Sequence, residues 1–155
     1  MTTEEKQLLL KDLSARLPYG VLCCVNFKDG DDLKKGVMKL SGMFTNECYF
    51  TTETGSTYTD DFEPYLRPMD TMTEEEAVEY FRLQKDYEYA EVDSFTIDSN
   101  KCLCAYVDNA WCRYCWCDIS NIKVLDWLLE KHFDFRGLIW YELALPAPEG
   151  MYDFK

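Results

Sequence analysis

The stretch VLCCVNFKDGDDLKKGVMKL, residues 21–40, sets the fold class. Val21 to Phe27 is a short, partly β-branched apolar run that suits a buried strand. Asp29-Gly30 is a turn signal, and Val37 to Leu40 reads as a second strand. Glu47 to Thr52 reads as a third, joined to the second near Asn46. Strands that follow one another with no helix between them pair antiparallel, because parallel neighbours need a long crossover.

Toward the N-terminus the period changes from two to 3.6. Thr2 with Glu5 three residues on fits a capping box, and Leu9, Leu10, Leu13 and Leu17 recur at helical spacing. Leu8 broadens that stripe enough to cover a sheet, and Pro18 and Gly20 end the helix. Toward the C-terminus, residues 53–72 carry Gly, Ser, Thr and Asp with Pro64 and Pro68, and read as a loop. A second helix starts near Thr73, with Glu74, Glu75 and Glu76 at its positive end and Ala77, Tyr80, Phe81 and Gln84 on its inner face.

Residues 92–118 then alternate as a three-stranded meander, with turn signals at Ser99-Asn100 and Asp108-Asn109. Ser120 or Asn121 caps a third helix whose buried face is Ile122, Leu125, Leu128, Leu129 and His132 or Phe133, closed by Gly137. The tail 138–154 is apolar and extended around Pro146 and Pro148. About six strands in two meanders, with about three helices and no repeating βαβ alternation, make an α+β fold with a mainly antiparallel sheet. The chain of 155 residues, with no repeat and no linker, is expected to be one domain, 1–155.

No run approaches the roughly 20 apolar residues of a membrane-spanning helix, and the polar, acidic Met1-Thr2-Thr3-Glu4-Glu5-Lys6 is unlike a secretory signal. A cytoplasmic setting is therefore expected, where the eight cysteines are thiols or metal ligands before they are disulfides. The net charge of −13 is uneven: residues 47–98 hold fifteen acids against three bases, while both flanks are near neutral. That balance offers no basic face to displace counterions from nucleic acid, so direct nucleic-acid binding is not expected. It suits solubility or a basic protein partner.

Five cysteines cluster in the meander: Cys102, Cys104, Cys112, Cys115 and Cys117. If a two-residue turn at Asn109-Ala110 sets Asp108 opposite Trp111, Cys104 faces Cys115 and Cys102 faces Cys117, all on one side of the hairpin. One reading is a tetrathiolate zinc or iron site at Cys102, Cys104, Cys115 and Cys117. A second is a buried face lined by small thiols, and a third is redox or disulfide behaviour of the cluster. The C-x-C spacings and parallel Cβ directions favour packing over tetrahedral ligation, so no cofactor is expected.

His132, the only histidine, is the sole available partner for a nucleophilic pair, and its place near a helix end suits packing or the helix dipole better. Asp29-Gly30-Asp31-Asp32 lacks the remaining ligands of a calcium loop. Asp60, Asp61 and Glu63 could pair for acid–base work or simply be solvated. No glycine-rich phosphate loop or nucleophile elbow occurs. Tyr58, Tyr65, Tyr87, Tyr89, Tyr141 and Tyr152 are suited to contact a protein partner. The leading expectation is a non-enzymatic protein-binding or regulatory module. Its contact surface lies in the acidic segment 53–76, on Tyr58, Asp60, Asp61, Glu63, Tyr65, Asp70, Glu74 and Glu75. The alternative is a small cysteine-ligated metalloprotein.

Three segments, Met1–Val21 (MTTEEKQLLLKDLSARLPYGV), Asp61–Glu76 (DFEPYLRPMDTMTEEE) and Trp127–Tyr152 (WLLEKHFDFRGLIWYELALPAPEGMY), resemble a set of short, functionally uncharacterised proteins of gut Bacteroidales genomes and their phages or mobile elements. Ile139-Trp140-Tyr141-Glu142 departs from the more charged stretch expected there. The resemblance implies a bacterial or phage context and supplies no site residue.

Overall fold

The computed structural model describes residues 1–44, 48–52, 55–83, 92–97, 103–107, 110–114 and 121–152. The fold is α+β, and the chain divides into two compact units: Met1–Leu66 with Gly137–Lys155, and Arg67–Arg136.

The first unit is helix α1 (Thr3–Arg16), a 3₁₀ turn (Leu17–Tyr19) and a six-stranded sheet. Its strands are β1 (Leu22–Asp29), β2 (Asp32–Met43), β3 (Cys48–Thr51), β4 (Ser56–Thr59), β5 (Phe62–Leu66) and a late strand, Leu145–Pro146. The late strand, ninth in the chain, pairs parallel to β5 through Tyr65–Leu145 and Leu66–Pro146, and the other neighbours are antiparallel. The sheet order is β4-β3-β2-β1-β5 followed by this late strand. The predicted hairpin at 29–32 forms, with Asp29 paired to Asp32 and Gly30 at φ +66°, a conformation glycine adopts without a Cβ clash. β2 is much longer than the Val37–Leu40 run, because its charged first half, with Lys34 and Lys35, is exposed on the hairpin. The expected link near Asn46 lies outside the described residues.

The stretch expected to be a loop is the main correction, since it forms β4 and β5. Pro64 does not disrupt β5, and the register explains why. Asn26 N–H donates to Asp61 C=O (3.0 Å), so rungs alternate from there, and Pro64 falls in the non-hydrogen-bonded pair with Cys23. No ladder bond to β1 is asked of its missing N–H. Beyond that pair the Tyr152 hydroxyl takes the next rung. It accepts from Leu22 N–H (3.0 Å) and donates to Tyr65 C=O (2.8 Å).

The capping box of α1 forms, with Glu5 N–H on Thr2 Oγ1 (3.2 Å) and Thr2 N–H on Glu5 Oε2. Leu9 and Leu13 pack on Val21, Cys23, Val25, Leu40 and Phe50 of the sheet. Leu10 and Leu17 are only half-buried; the buried face instead includes Asp12 and Arg16, both 0% exposed. Arg16 donates from Nε to Asp12 Oδ2 and from Nη2 to Oδ1 (3.2 Å), which lets two charged side chains lie inside.

The tail is not extended at its start. Residues 137–142 make one helical turn closed by Glu142 at φ +56°, with Glu142 N–H on Ile139 C=O (3.1 Å) and Leu143 N–H on Leu138 C=O (2.9 Å). That is a Schellman closure.

The second unit holds a 3₁₀ turn (Met69–Thr71), α2 (Glu74–Leu83), a three-stranded antiparallel sheet of β6 (Val92–Ile97), β7 (Leu103–Val107) and β8 (Ala110–Tyr114), and α3 (Ile122–Glu130). Ala77, Tyr80 and Phe81 form the inner stripe of α2 as expected, with Val124, Trp127 and Leu128 of α3 packed against them. Ile122, placed on the buried face from sequence, is exposed, and the stripe runs through Val124 and Trp127 instead. Asn121 caps α3, its Oδ1 accepting from Lys123 N–H (3.0 Å). His132, not Gly137, closes the helix at φ +58°. His132 N–H bonds Leu129 C=O (3.1 Å) and Phe133 N–H bonds Leu128 C=O (3.0 Å), while the Phe133 ring stacks on Trp127 (5.7 Å).

Candidate functional site

The eight residues expected at a contact surface divide between the two units. Tyr58, Asp60, Asp61, Glu63 and Tyr65 belong to the first unit, and Asp70, Glu74 and Glu75 to the second. Asp70 sits on the 3₁₀ turn and Glu74 and Glu75 in the first turn of α2, all exposed. Their neighbour Glu76 is occupied internally: Arg67 grips it with two hydrogen bonds (2.7 and 2.8 Å), and Thr73 completes a capping box with it. Burial alone would raise the Glu76 carboxyl, but the Arg67 hydrogen bonds, the Thr73 N–H and the Arg67 charge hold it below its ordinary value.

Within the first unit, the short turn between β4 and β5 places Asp60 and Asp61 beside a cavity of about 310 Å³. Asn26 Nδ2 fixes Asp61 by donating to Oδ1 (2.9 Å), and Thr59 Oγ1 accepts from Asp61 N–H (3.0 Å). Leu9 and Leu10 of α1, Phe62 of β5 and Leu143 supply apolar wall. Asp60, Asp61, Glu63, Glu142 and Lys6 also belong to the lining, but strand alternation sets the side chains of Asp61 and Glu63, with those of Asn26 and Cys24, on the face of the sheet opposite Phe62. Cys48 lies in the same lining; burial pushes its thiol up, Asp60 adds to that, and Lys6 opposes it.

Phe44, 61% exposed, lines the cavity and stands 5.7 Å from the ring of Tyr58, itself 56% exposed and 4.8 Å from Tyr49. Phe44 thus joins the cavity lining to the Tyr58–Tyr49 pair, which the register sets on the face of the sheet opposite Cys48 and Phe50. Tyr65 does not line the cavity. It lies beside Cys24 on the other face of the sheet, where burial and then the Cys24 hydrogen bond raise its phenol.

Of the residues named from sequence, Asp60, Asp61 and Glu63 belong to the lining of this cavity and Tyr58 does not; Lys6, Leu10, Phe44 and Glu142, which sequence reasoning did not name, belong to it as well. Sequence reasoning also missed Trp140, which is 81% exposed on the Gly137–Glu142 turn. The available signal was the apolar, uncharged Ile139-Trp140-Tyr141 run beside Gly137.

The cysteine pairing expected from a turn at Asn109-Ala110 is corrected. Val107 pairs with Ala110, so Cys104 pairs with Arg113, not Cys115, and Cys112 with Ala105. Cys102, Cys115 and Cys117 lie outside the described residues. Among the described residues no group of three or more His, Cys, Asp or Glu is placed to hold a metal ion, and no helix is long and apolar enough to cross a membrane. His132 is buried at the helix closure. Comparison of the chain with protein-family models, with curated proteins and with solved structures found no match.

Proposed function

We propose that this protein is a non-enzymatic protein-binding module that engages a basic partner through the cleft-bearing surface of its first unit. One observation carries the reading: the acidic residues Asp60, Asp61 and Glu63 follow one another on the β4–β5 turn and the start of β5, on the same unit as the exposed rings of Phe44 and Tyr58. Rings of this kind give contact area at low entropic cost, and one-signed charge selects the partner and speeds the encounter. Tyr58, Asp60, Asp61 and Glu63 are the contact residues of this reading. Asp70, Glu74 and Glu75 contribute to the acidity of the second unit and are not assigned to the cleft. The three Bacteroidales-like segments supply the proposed setting, a bacterial or phage protein acting in the cytoplasm on another protein.

The test is a peptide array of varied charge, probed with the wild-type protein and with the triple variant Asp60→Asn, Asp61→Asn, Glu63→Gln at low and high salt. Basic peptides should be retained by the wild type, released by salt, and not retained by the variant. Equal retention of acidic and basic peptides would end the proposal.

A further inference from the structure

We infer that Asp61 and Glu63 are met by a second copy of this chain, whose exposed lysines on β2 are the basic element they engage. The inference rests on the basic-partner reading above and names the partner.

The register decides which side chains share a face. Lys35 pairs with Asn26, Val37 with Cys24 and Lys39 with Leu22, and on the other side of β1 Cys24 pairs with Glu63. Asn26 continues that ladder to Asp61, through its N–H to the Asp61 C=O (3.0 Å) and its side-chain amide to Oδ1 (2.9 Å). Opposed residues point to one side of an antiparallel pair. Their neighbours Cys23, Val25 and Met38 point to the other side, into the core. The outer face therefore carries a lysine row on β2, Lys35 and Lys39, and an acidic row on β5, Asp61 and Glu63. β1 lies between them, so the rows are about 10 Å apart, two strand spacings.

These charges are available. Lys28, Lys35, Lys39 and Asp61 are exposed and Glu63 is half-buried, and among the described residues none of the five is in an ion pair. Leu33 and Val37, on the same outer side of β2, are exposed apolar residues. In a chain of net charge −13, this is a face where the two signs nearly balance, so a second copy can approach it without local repulsion.

One symmetry matches the rows. A two-fold axis running along β1, between two facing sheets, carries β2 of each copy over β5 of the other, so that each Lys35 meets the Asp61 and Glu63 of its mate. A two-fold axis across the strands would instead set lysine row on lysine row. The matching arrangement keeps the strand directions aligned, a common mode for packed sheets. Its gap of about 10 Å is one that a lysine and a carboxylate side chain span together. Lys39 rests its stem on Gly20, so Lys35 carries the pairing. Lys28, on the axis strand, faces itself and opposes it.

Salt screens both the row attraction and the long-range repulsion between two acidic chains, so charge reversal is the cleaner probe. Sedimentation equilibrium over about 1 μM to 1 mM should show a wild-type monomer–dimer equilibrium with a dissociation constant of about 10–100 μM, weak because the face is only three strands wide. Lys35→Glu should weaken self-association at least about tenfold, and so should Asp61→Lys with Glu63→Lys, because each reversal acts twice in a two-fold dimer. Mixed in equal amounts, the two variants should form a heterodimer within about threefold of wild-type affinity, since every reversed charge then meets its opposite. Amide shifts should appear at Val37 and Glu63 of the labelled Lys35→Glu chain when the other variant is added. Recovery of this kind cannot come from misfolded chains. Lys28→Gln should tighten the wild-type dimer about twofold.

A wild type that is monomeric throughout would overturn the self-pairing. So would a dimer that neither reversal weakens, or variants that fail to recover on mixing. If the monomeric chain still retained basic peptides, and Asp60→Asn, Asp61→Asn, Glu63→Gln abolished that, the basic-partner reading would stand with another protein as its partner. If it were monomeric and retained none, both would fall.

Discussion

Replacing Tyr152 by phenylalanine removes one oxygen from the point where β1 and β5 stop pairing. That oxygen accepts from Leu22 N–H at 3.0 Å and donates to Tyr65 C=O at 2.8 Å. Leu40 N–H bonds Val21 C=O on the other side of β1 (2.9 Å), so by ladder alternation Leu22 points its N–H away from β2 and toward β5, with no second partner in the sheet. The variant thus strands one backbone donor and weakens one acceptor at a partly buried position. Leaving such groups unmade costs about 1–3 kcal/mol, and partial exposure puts the expectation at about 1–2. In a chain of this length that is about 3–6 °C in melting temperature. The ring is retained, so packing is not the variable. Urea unfolding measures the total, and hydrogen exchange of the Leu22 amide locates it, since that amide should lose protection more than Leu40 does. A stability change within about 0.5 kcal/mol, the range of ordinary surface substitutions, with Leu22 still protected, would refute the bridging role. The pH dependence gives a second readout. Burial, with Cys23 adding and the Leu22 N–H and Arg16 opposing, raises the Tyr152 phenol above its ordinary value of 10. The folded state therefore holds that proton more tightly than the unfolded chain. The resulting stability is complete below pH 10 and is lost as pH rises above it. Wild type should lose more stability in that alkaline window than Tyr152→Phe does.

Asp12→Leu leaves the Arg16 charge inside α1 without its carboxylate and should cost about 3–5 kcal/mol in urea unfolding; a loss under about 1 kcal/mol would mean the pair is not buried as described. The Glu76 carboxyl is held below its usual 4.5 in the fold, so its contribution is present above that pH and lost as pH falls through the depressed value. Glu76→Gln should flatten the acid side of the stability profile, and an unchanged acid limb would contradict the Arg67–Glu76 account. Glu142→Gly removes a side chain from the left-handed region, where an L-residue is disfavoured by roughly 1–2 kcal/mol, and the extra chain entropy of glycine offsets part of the gain. A net stabilisation of up to about 1 kcal/mol is expected in urea unfolding; destabilisation would show that the Glu142 side chain holds the turn.

The α+β class, the hairpin at 29–32, the capping box of α1 and the inner stripe of α2 were legible because each rests on local chemistry: glycine at positive φ, a Thr-x-x-Glu spacing, a 3.6-residue period. What was misread depends on contacts far apart in sequence. β5 looked like loop because of Pro64, and its innocence follows only from the pairing of Cys23 with Pro64, which no local window contains. Asp12 and Arg16 were not singled out, because composition cannot tell a solvated pair from one buried in the core. The two residues other than glycine at positive φ among those described, His132 and Glu142, left no trace in the sequence, since the usual helix-closing signal is a glycine. For the cleft, charge density pointed to Asp60, Asp61 and Glu63, and the sheet then added Phe44, the helix Lys6 and Leu10, and the returning tail Glu142.

That assembly also changes what the acidity means. Residues 47–98 hold fifteen acids; among those described, Asp60, Asp61 and Glu63 belong to the cavity lining, and Glu142 joins it from outside the acidic segment altogether. Glu76 is consumed by Arg67, and Glu74 and Glu75 sit where a helix N-terminus favours negative charge whatever the function. Net charge therefore overstates the binding surface, and its position in the chain misplaces part of it. Glu142 is the sharper indicator. A strained backbone persists only where its surroundings hold it in place, and here the Schellman closure at Leu138–Leu143 does so, with Glu142 among the residues of the cavity lining.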